Sequence, residues 1–375
     1  MKIALWKKAV LLLALWFWFA DSSALPASSS PELLKAKKDA EAKGYIFEIS
    51  RDEVVAKAKK EGKLRALSSM GPPTIKAMAE AFRAEYPFLD VRVEEQTGTD
   101  TIQRFILEMK AGRATGWDAI QVSTDFYDEY LPYLKQFDIQ GMATHGALNI
   151  PTQIIDPIHR NIAAVTSEIQ VVAYNKKLIS AEKVPGSWED FLKPEFKGRK
   201  FVADIRPTEI AILVPAWGLE KTLDFARKIA AQQPIWVRGS TRTITSMAAG
   251  EYALFIGANY RGVMRVAKKD PIGNLDYRIV EPVPTRLREA VGVLSKAEHP
   301  YAALLWLEFQ SSPKGQKMAD EYEPYGASIF VPGSTLEKLT RGKKLSLVNW
   351  DHYTKIQGYQ SKIVEAYGFP KVEAK

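Results

Sequence analysis

The residues of this sequence best suited to bind a ligand lie where short apolar stretches give way to helical patterns. Hydroxyl groups and the free N–H groups at a helix start favour oxyanions and small polar solutes. The alternative is that the serines and threonines only cap helices, their common use at such positions. The junctions are Ser68-Ser69, Ser123-Thr124, Arg206 with Thr208, Arg238-Gly239-Ser240-Thr241, and Asn259-Tyr260-Arg261.

Sequence motifs of catalysis and of metal binding are absent. The chain has no GxSxG elbow, HExxH pair, Walker loop or GxGxxG turn. The lack of cysteine excludes disulfides, thiolate metal sites, c-type haem and a lipoprotein anchor. We therefore expect a protein that is not an enzyme and has no cofactor or resident metal, with an exported hydrolase as the alternative. The histidines are too scattered to suggest a metal site: His145, His159, His299 and His352.

The elements that must position the junctions follow a repeating α/β pattern. Such alternation implies βαβ units and a mostly parallel sheet. Ligands of these sheets bind at the carboxyl ends of the strands, so we expect the junctions to converge on one cleft. The strands that precede helical patterns are predicted at 64–68, 88–94, 117–122, 201–203, 235–237 and 252–256.

Two extended stretches separate the strands into two series. The first is 162–174, and the second joins 277–280 to 290–294 around the proline-rich segment EPVPTRLRE. We expect both to cross between two lobes, with the ligand bound in the cleft. The predicted division is 1–24 signal peptide, 25–61 leader and first helix, 62–165 with 290–375 first lobe, and 169–284 second lobe.

The first 24 residues have the three parts of a secretory signal peptide. The lysine-rich start Lys2 to Lys8 is followed by the apolar stretch 9–20 and by the small residues Ser22-Ser23-Ala24. The apolar stretch is shorter than the about 20 residues that span a bilayer. We expect cleavage after Ala24 or Ala27 and a periplasmic or secreted chain, with an uncleaved membrane anchor as the alternative.

Bulk composition describes an ordinary globular protein. About 350 residues remain after cleavage, enough for two domains. The sequence is 46% hydrophobic and 26% charged, with a formal net charge of +8. Much of the excess charge lies on helix faces, and basic residues are not interleaved with aromatic ones as in nucleic-acid-binding proteins. We expect no nucleic-acid partner, and net charge alone does not identify an anionic ligand.

A set of segments, taken together in order, resembles the extracellular solute-binding proteins of ABC transporters. Within that group the set is most similar to the branch that holds ferric-iron, phosphonate and related anion binders. The resemblance covers about 52–333. Its marks are AKAKKEGKLRALSS, GRATGWDAIQVS, VAYNK at 172–176, SWEDFLKPEFKGR, MAAGEYAL and HPYAALLWLEFQSSPKGQK.

The resemblance implies a type II periplasmic binding protein fold. Each of its two lobes is a mostly parallel sheet flanked by helices, and two hinge crossings join them. It also implies a monomer that captures a small-molecule or metal-anion ligand and delivers it to an ABC permease in the inner membrane. A ligand-sensing domain on the same fold is an alternative. The predicted ligand contacts are Ser68, Ser69, Ser123, Thr124, Arg206, Arg238, Ser240, Thr241 and Tyr260.

Ferric binders of this branch differ from the chain at two places. They usually have two adjacent tyrosines after the strand that is YALFI here, where this chain has Tyr260 alone, and its first loop has no histidine. Binding of Fe(III) would then need an exogenous anion, or a distant side chain such as Tyr322 or Tyr325. Ferric iron, phosphonate, carboxylate and other anions all remain candidate ligands.

Overall fold

The computed structural model describes residues 30–96, 99–122, 126–270, 272–322 and 326–369. The predicted signal peptide and the predicted contacts Ser123 and Thr124 lie outside these residues. Within the described part of the chain, no helix is long and apolar enough to cross a membrane.

The described residues contain ten strands, and most of them overlap the predicted ones. They are β1 (Lys63–Ser68), β2 (Asp90–Glu95), β3 (Ala119–Val122), β4 (Ile162–Asn175), β5 (Val202–Asp204), β6 (Ile235–Val237), β7 (Leu254–Asn259), β8 (Leu275–Arg278), β9 (Val283–Val293) and β10 (Leu345–Val348).

Helices follow most of the strands, and short 3-10 turns complete the connections. The helices are α1 (Pro31–Glu41), α2 (Arg51–Glu61), α3 (Pro72–Glu85), α4 (Thr99–Lys110), α5 (Tyr127–Tyr130), α6 (Ile139–Thr144), α7 (Thr208–Ala211), α8 (Val214–Trp217), α9 (Leu219–Ala231), α10 (Ser240–Ala248), α11 (Tyr260–Ala267), α12 (Pro300–Ser311), α13 (Pro313–Tyr322), α14 (Thr335–Thr340), α15 (Trp350–Tyr353) and α16 (Ile356–Tyr367).

Local sequence accounts for where the first of these helices begin and end. The hydroxyl of Ser50 accepts the N–H of Glu53 at 3.2 Å and caps α2. Gly62 ends the same helix in the left-handed conformation, with φ of 68°. The leader before it is a helix, α1, with Ser30 as its N-cap.

The strands form one hydrogen-bonded path in the order β2-β1-β3-β9-β4-β7-β5-β6, with β10 beside β9 and β8 beside β4. At one end β1 is parallel to β2 and β3, and at the other end β5 is parallel to β6 and β7. Between them β4 and β9 are antiparallel. Residues 162–169 of β4 pair with β9, while 170–175 pair with β7 and β8. The strand β4 therefore leaves one parallel group and enters the other, as predicted for a crossing between lobes.

The second crossing differs from its prediction. Residues 281–289 were expected to interrupt it because of their two prolines, yet 283–289 belong to the continuous strand β9. Pro284 is tolerated because a proline removes only its own N–H donor, and β10 pairs beside this segment. The crossing thus carries Arg286 and Arg288 on one continuous strand, directly before Glu289, whose φ is 34°.

The last helix also differs from its predicted place in the first lobe. Helix α16 packs against α7 and α9 of the second lobe. Its Tyr367 ring lies 4.7 Å from the ring of Trp236, and Ile363 is fully buried in the same cluster. The short helix α15 instead packs its Trp350 against Tyr127 of the first lobe, 5.6 Å between ring centroids. The end of the chain therefore contacts both lobes.

Candidate ligand-binding site

A cavity of about 500 Å³ opens where the crossing strands meet the carboxyl ends of β5 and β6. Cavities of this size are typical of small-molecule sites. We call it the arginine cavity, because four arginines line it together with three acidic residues. The charged lining residues are Arg206, Arg242, Arg286, Arg288, Glu168, Asp204 and Glu209.

The crossing strands give the cavity a polar face. Thr166, Glu168 and Gln170 alternate along β4, so that they share one side of the strand. In the sheet register Glu168 lies opposite Arg286, and Thr166 lies opposite Arg288. Two cationic side chains therefore reach the cavity from inside a largely buried strand.

Glu168 forms ion pairs with both of these arginines. Its carboxylate lies 3.4 Å from Nε of Arg286 and 3.7 Å from Nε of Arg288. Gln170 donates an amide hydrogen to the same carboxylate at 2.7 Å. Burial favours a higher pKa for Glu168, but the two arginines outweigh it and lower the pKa. The carboxylate is therefore ionised and pairs with both arginines, and Arg288 also lies 3.4 Å from the carboxylate of Glu289.

Asp204 connects the two loops that line the opposite wall. This residue ends β5, and its carboxylate accepts the N–H of Arg206 at 2.9 Å and the N–H of Gly239 at 3.0 Å. Gly239 has φ of 102°, a conformation that favours glycine. The side chain of Arg206 is 59% exposed and lies 3.5 Å from Asp204. One buried carboxylate thus fixes both the arginine loop and the start of α10.

The start of α10 faces the cavity without a side-chain cap. Its N-cap is Gly239, and no side chain accepts from its first turn. Ser240, Thr241 and Arg242 line the cavity. The hydroxyl of Ser240 is buried and has no hydrogen-bond partner among the described residues. The capping alternative therefore does not account for Ser240, and the helix N-terminus offers N–H groups to an anion.

Glu209 is a buried acidic residue of the cavity. It lies in α7 and is 4% exposed. Burial, with the negative charge of Asp204 as a smaller cause, raises the pKa of Glu209 well above its usual range. Its Oε1 atom has no hydrogen-bond partner within the described residues. Burial therefore favours the neutral form of this carboxyl.

The two predicted contacts of the first junction lie outside the arginine cavity. Ser68 is buried, donates to the side chain of Gln121 at 2.6 Å and accepts the N–H of Met70 at 3.2 Å. Ser69 donates to Glu289 at 2.7 Å and lines a separate cavity of about 20 Å³. Both hydroxyls bond to the protein itself, so the first junction is not part of the arginine cavity.

Two predicted contacts of the second lobe also lie elsewhere. Arg238 is exposed and does not line the arginine cavity, although Gly239 beside it does. Tyr260 is 2% exposed and packs its ring edge-on against Tyr277, 5.0 Å between centroids. Its neighbour Asn259 lines the cavity and caps α11 by accepting the N–H of Gly262. Of the seven predicted residues that the structure describes, the cavity thus brings together Arg206, Ser240 and Thr241.

A second cavity of about 450 Å³ adjoins the first and shares Thr208 and Arg286 with it. Phe126 and Glu129 line it from the first lobe, and Gln360 lines it from the end of the chain. The amide of Gln360 donates to the hydroxyl of Thr208 at 3.0 Å. The two cavities together form a cleft between the lobes.

Sequence reasoning missed the cavity residues of the crossing strands. The available signal was charge at alternate positions of otherwise apolar strands, Glu168 in one and Arg286 with Arg288 in the other. Charged side chains are rarely buried unless they are paired, so this spacing marks a polar face. The described residues contain no group of three or more His, Cys, Asp or Glu side chains able to hold a metal ion.

A family model described as bacterial extracellular solute-binding protein matches residues 124–355. The chain therefore belongs to the bacterial extracellular solute-binding proteins, as the sequence resemblance indicated. No curated protein sequence matches the chain. Family and fold are those of the substrate-binding component of an ABC-type uptake system, which binds a small ligand and delivers it to a permease.

Solved structures share the fold at low sequence identity. IdiA (FutA) of Trichodesmium, in complex with iron and citrate, has a TM-score of 0.65 at 20% identity, covering 82% of this chain and 100% of that chain. Ferric iron-binding protein A of Mannheimia haemolytica, in an open conformation, has 0.65 at 16% identity, with coverages of 82% and 100%. The ferric binding protein of Bordetella has 0.64 at 14% identity, with coverages of 82% and 98%. The predicted two-lobed α/β fold is thereby confirmed.

Proposed function

We propose that this protein captures a small oxyanion in the arginine cavity and presents it to an ABC permease. The observation that carries the proposal is the convergence of four arginines with the uncapped N-terminus of α10 on one cavity. Arginine matches carboxylate and phosphonate geometry, and a helix N-terminus favours negative charge. The protein works in the periplasm after loss of its signal peptide, and it acts as a monomer without nucleic acid.

A metal–anion complex is a member of the same ligand class. IdiA (FutA) of Trichodesmium is described with iron and citrate, which supports testing ferric citrate here. Direct coordination of iron by Tyr260 is disfavoured, because that side chain is buried against Tyr277. In such a complex the arginine cavity would hold the anion.

Closure of the two lobes over the ligand would create the conformation that the permease recognises. The shared residues Thr208 and Arg286 support a cleft that extends from the arginine cavity towards the first lobe. The lobe boundaries near 165, 169, 284 and 290 stay a prediction, with α16 assigned to the second lobe.

The proposal is tested by a matched pair of variants, Arg206→Ala and Arg238→Ala. Both arginines are exposed on loops that follow strands of the second lobe, but only Arg206 lines the cavity. The ligand is first chosen by thermal shift among sulfate, methylphosphonate, citrate and ferric citrate. A ligand at a hundred times its Kd stabilises by about 2.7 kcal/mol, a visible shift.

Calorimetry then compares the two variants. Loss of a charge-assisted contact in R206A should weaken binding by about ten- to a hundredfold, while R238A should bind like the wild type. Equal affinities in both variants would remove Arg206 from the site. Turnover of an ester or phosphonate by the purified protein would instead favour the exported-enzyme alternative.

A further inference from the structure

Glu209 is a buried carboxyl group with one oxygen that no contact within the described protein satisfies, although the backbone N–H groups of Glu209 and Asp204 bond to the carboxyl. It is 4% exposed, it lines the arginine cavity, and its Oε1 atom lacks a hydrogen-bond partner among the described residues. Buried polar atoms of this kind are rare in folded proteins, so each one calls for a specific explanation. A group of the bound ligand would supply the missing partner.

Close packing fixes where this carboxyl lies. Gly257 of β7 also lines the cavity, and a Cβ at that position would overlap Cβ and Cγ of Glu209. A glycine is therefore required here for close approach, and the side chain of Glu209 rests directly on the strand backbone. Because β7 blocks one side, the carboxyl cannot move away from the cavity in that direction.

Three titratable or charged neighbours surround Glu209. Asp204 at the end of β5 is fixed by the two backbone N–H groups that its carboxylate accepts. The guanidinium of Arg206 belongs to the same loop and opposes the effect of Asp204. From α16, the hydroxyl of Tyr367 is buried, and burial together with Glu209 and Asp204 raises its pKa, so that it stays neutral.

A negative charge on Glu209 would lie buried beside the carboxylate of Asp204, which is unfavourable. Burial and the charge of Asp204 both raise the pKa of Glu209, and they outweigh the backbone N–H bonds from Glu209 and Asp204 and the positive charge of Arg206. A neutral carboxyl group has one O–H donor, whereas an ionised one only accepts.

We propose that Glu209 stays protonated in the arginine cavity and donates its carboxyl hydrogen to an oxygen of the bound anion. The inference rests on the proposed function and narrows its ligand class. The ligand must keep an oxygen free to accept this bond, in addition to those that the arginines and α10 engage. A bare ferric ion does not fit, because a metal would bind the ionised carboxylate and displace the proton.

The test is a set of sulfate titrations by calorimetry between about pH 5 and pH 9. Sulfate stays a dianion over this range, so any pH dependence belongs to the protein. In the wild type, affinity should fall by up to about tenfold per pH unit once Glu209 loses its proton. In Glu209→Gln, which keeps a donor and cannot titrate, this fall should vanish. The control Glu220→Gln makes the same change at an exposed position of α9 and should follow the wild type.

Each outcome separates this inference from the proposed function. Sulfate binding with the same pH dependence in E209Q and the wild type would overturn the role of Glu209 and leave the anion site standing. No sulfate binding by the wild type at any pH would overturn the inference, and the proposed function would then stand only if methylphosphonate, citrate or ferric citrate binds. If E209Q does not fold, infrared spectra of the wild type decide. A protonated-carboxyl band near about pH 7 that disappears in alkali is expected, and its absence would refute the proposal.

Discussion

Two strand–helix junctions with similar sequences have different structures here. After β1, Ser68-Ser69 and Gly71 lead into α3, and after β6, Gly239 leads into Ser240-Thr241 of α10. The first helix begins with Pro72-Pro73, which lack N–H groups, so its N-terminus has fewer free donors. Its serine hydroxyls bond to Gln121 and Glu289. A junction binds a ligand only where its donors are not already used by the protein.

Charge sharpens this difference between the two junctions. Beside Ser69 lies the carboxylate of Glu289, which disfavours an anion. Beside Ser240 lie Arg206 and Arg242, which favour one. The same strand–loop–helix geometry therefore gives a structural turn in the first lobe and a candidate anion site in the second.

The largest expected effect comes from the carboxylate that supports the second site. Glu168→Ala leaves Arg286 and Arg288 without their central partner, although they are only 13% and 24% exposed. Breaking such a buried ion pair should lower the free energy of unfolding by about 3–5 kcal/mol. Urea denaturation measures it, and Glu220→Gln is the exposed control. A loss as small as that of the control would mean that the arginines are not held by Glu168.

The second-largest expected effect is a pH dependence of the free energy of unfolding, caused by the titration of Glu209. Burial raises the pKa of this carboxyl in the folded protein well above its ordinary value of 4.5, so the folded state holds the proton more tightly. The stabilisation is complete below the unfolded pKa and is lost as pH rises through the folded pKa, at about 1.4 kcal/mol per unit of pKa difference. Urea denaturation from about pH 5 to pH 9 should show the wild type losing stability relative to E209Q. If the stabilities of the wild type and E209Q changed in parallel with pH, Glu209 would not be a buried neutral carboxyl in the folded protein.

At the first junction, Ser68→Ala removes a hydrogen bond to buried Gln121. An unsatisfied buried amide should lower the free energy of unfolding by about 1–3 kcal/mol. Anion affinity should stay unchanged, because Ser68 does not line the arginine cavity. If Ser68→Ala instead weakened anion binding and left the free energy of unfolding unchanged, Ser68 would be a ligand contact and not a structural residue.

At the second junction, Ser240→Ala removes a hydroxyl without a partner in the described protein. Stability should change by less than about 0.5 kcal/mol, as for substitutions away from specific interactions. Binding of the chosen anion should weaken by about 1 kcal/mol if the hydroxyl donates to it. Thermal denaturation and calorimetry on the same samples measure both quantities. A stability loss equal to that of S68A would assign Ser240 a structural role.

Much of the fold could be predicted from sequence because apolar runs and helix signals alternate regularly. The strands at 64–68 and 235–237 lie where the patterns predicted them. The continuous strand β9 could not be predicted in this way, because prolines favour a break and only pairing with β10 and β4 overrides it. The placement of α16 depends on contacts with Trp236, far away in sequence.

The site was predictable only in part, for a related reason. A strand–helix junction shows which donors are near a cleft, and Arg206, Ser240 and Thr241 follow from it. It does not show whether a hydroxyl already has a partner, as Ser68 does, or whether a ring turns into the core, as Tyr260 does. Arg286 and Arg288 require the sheet register, which places them on the same face as Glu168.

The most direct test of the anion site is a crystal structure of the protein soaked with selenate, located by the anomalous signal of selenium. Selenate has the size, charge and oxygen acceptors of a small oxyanion. The account predicts a peak in the arginine cavity, within hydrogen-bond distance of Arg206 and the N–H groups at the start of α10. A peak beside Ser69 and Glu289, or none in the arginine cavity at a concentration that shifts the melting temperature, would contradict it.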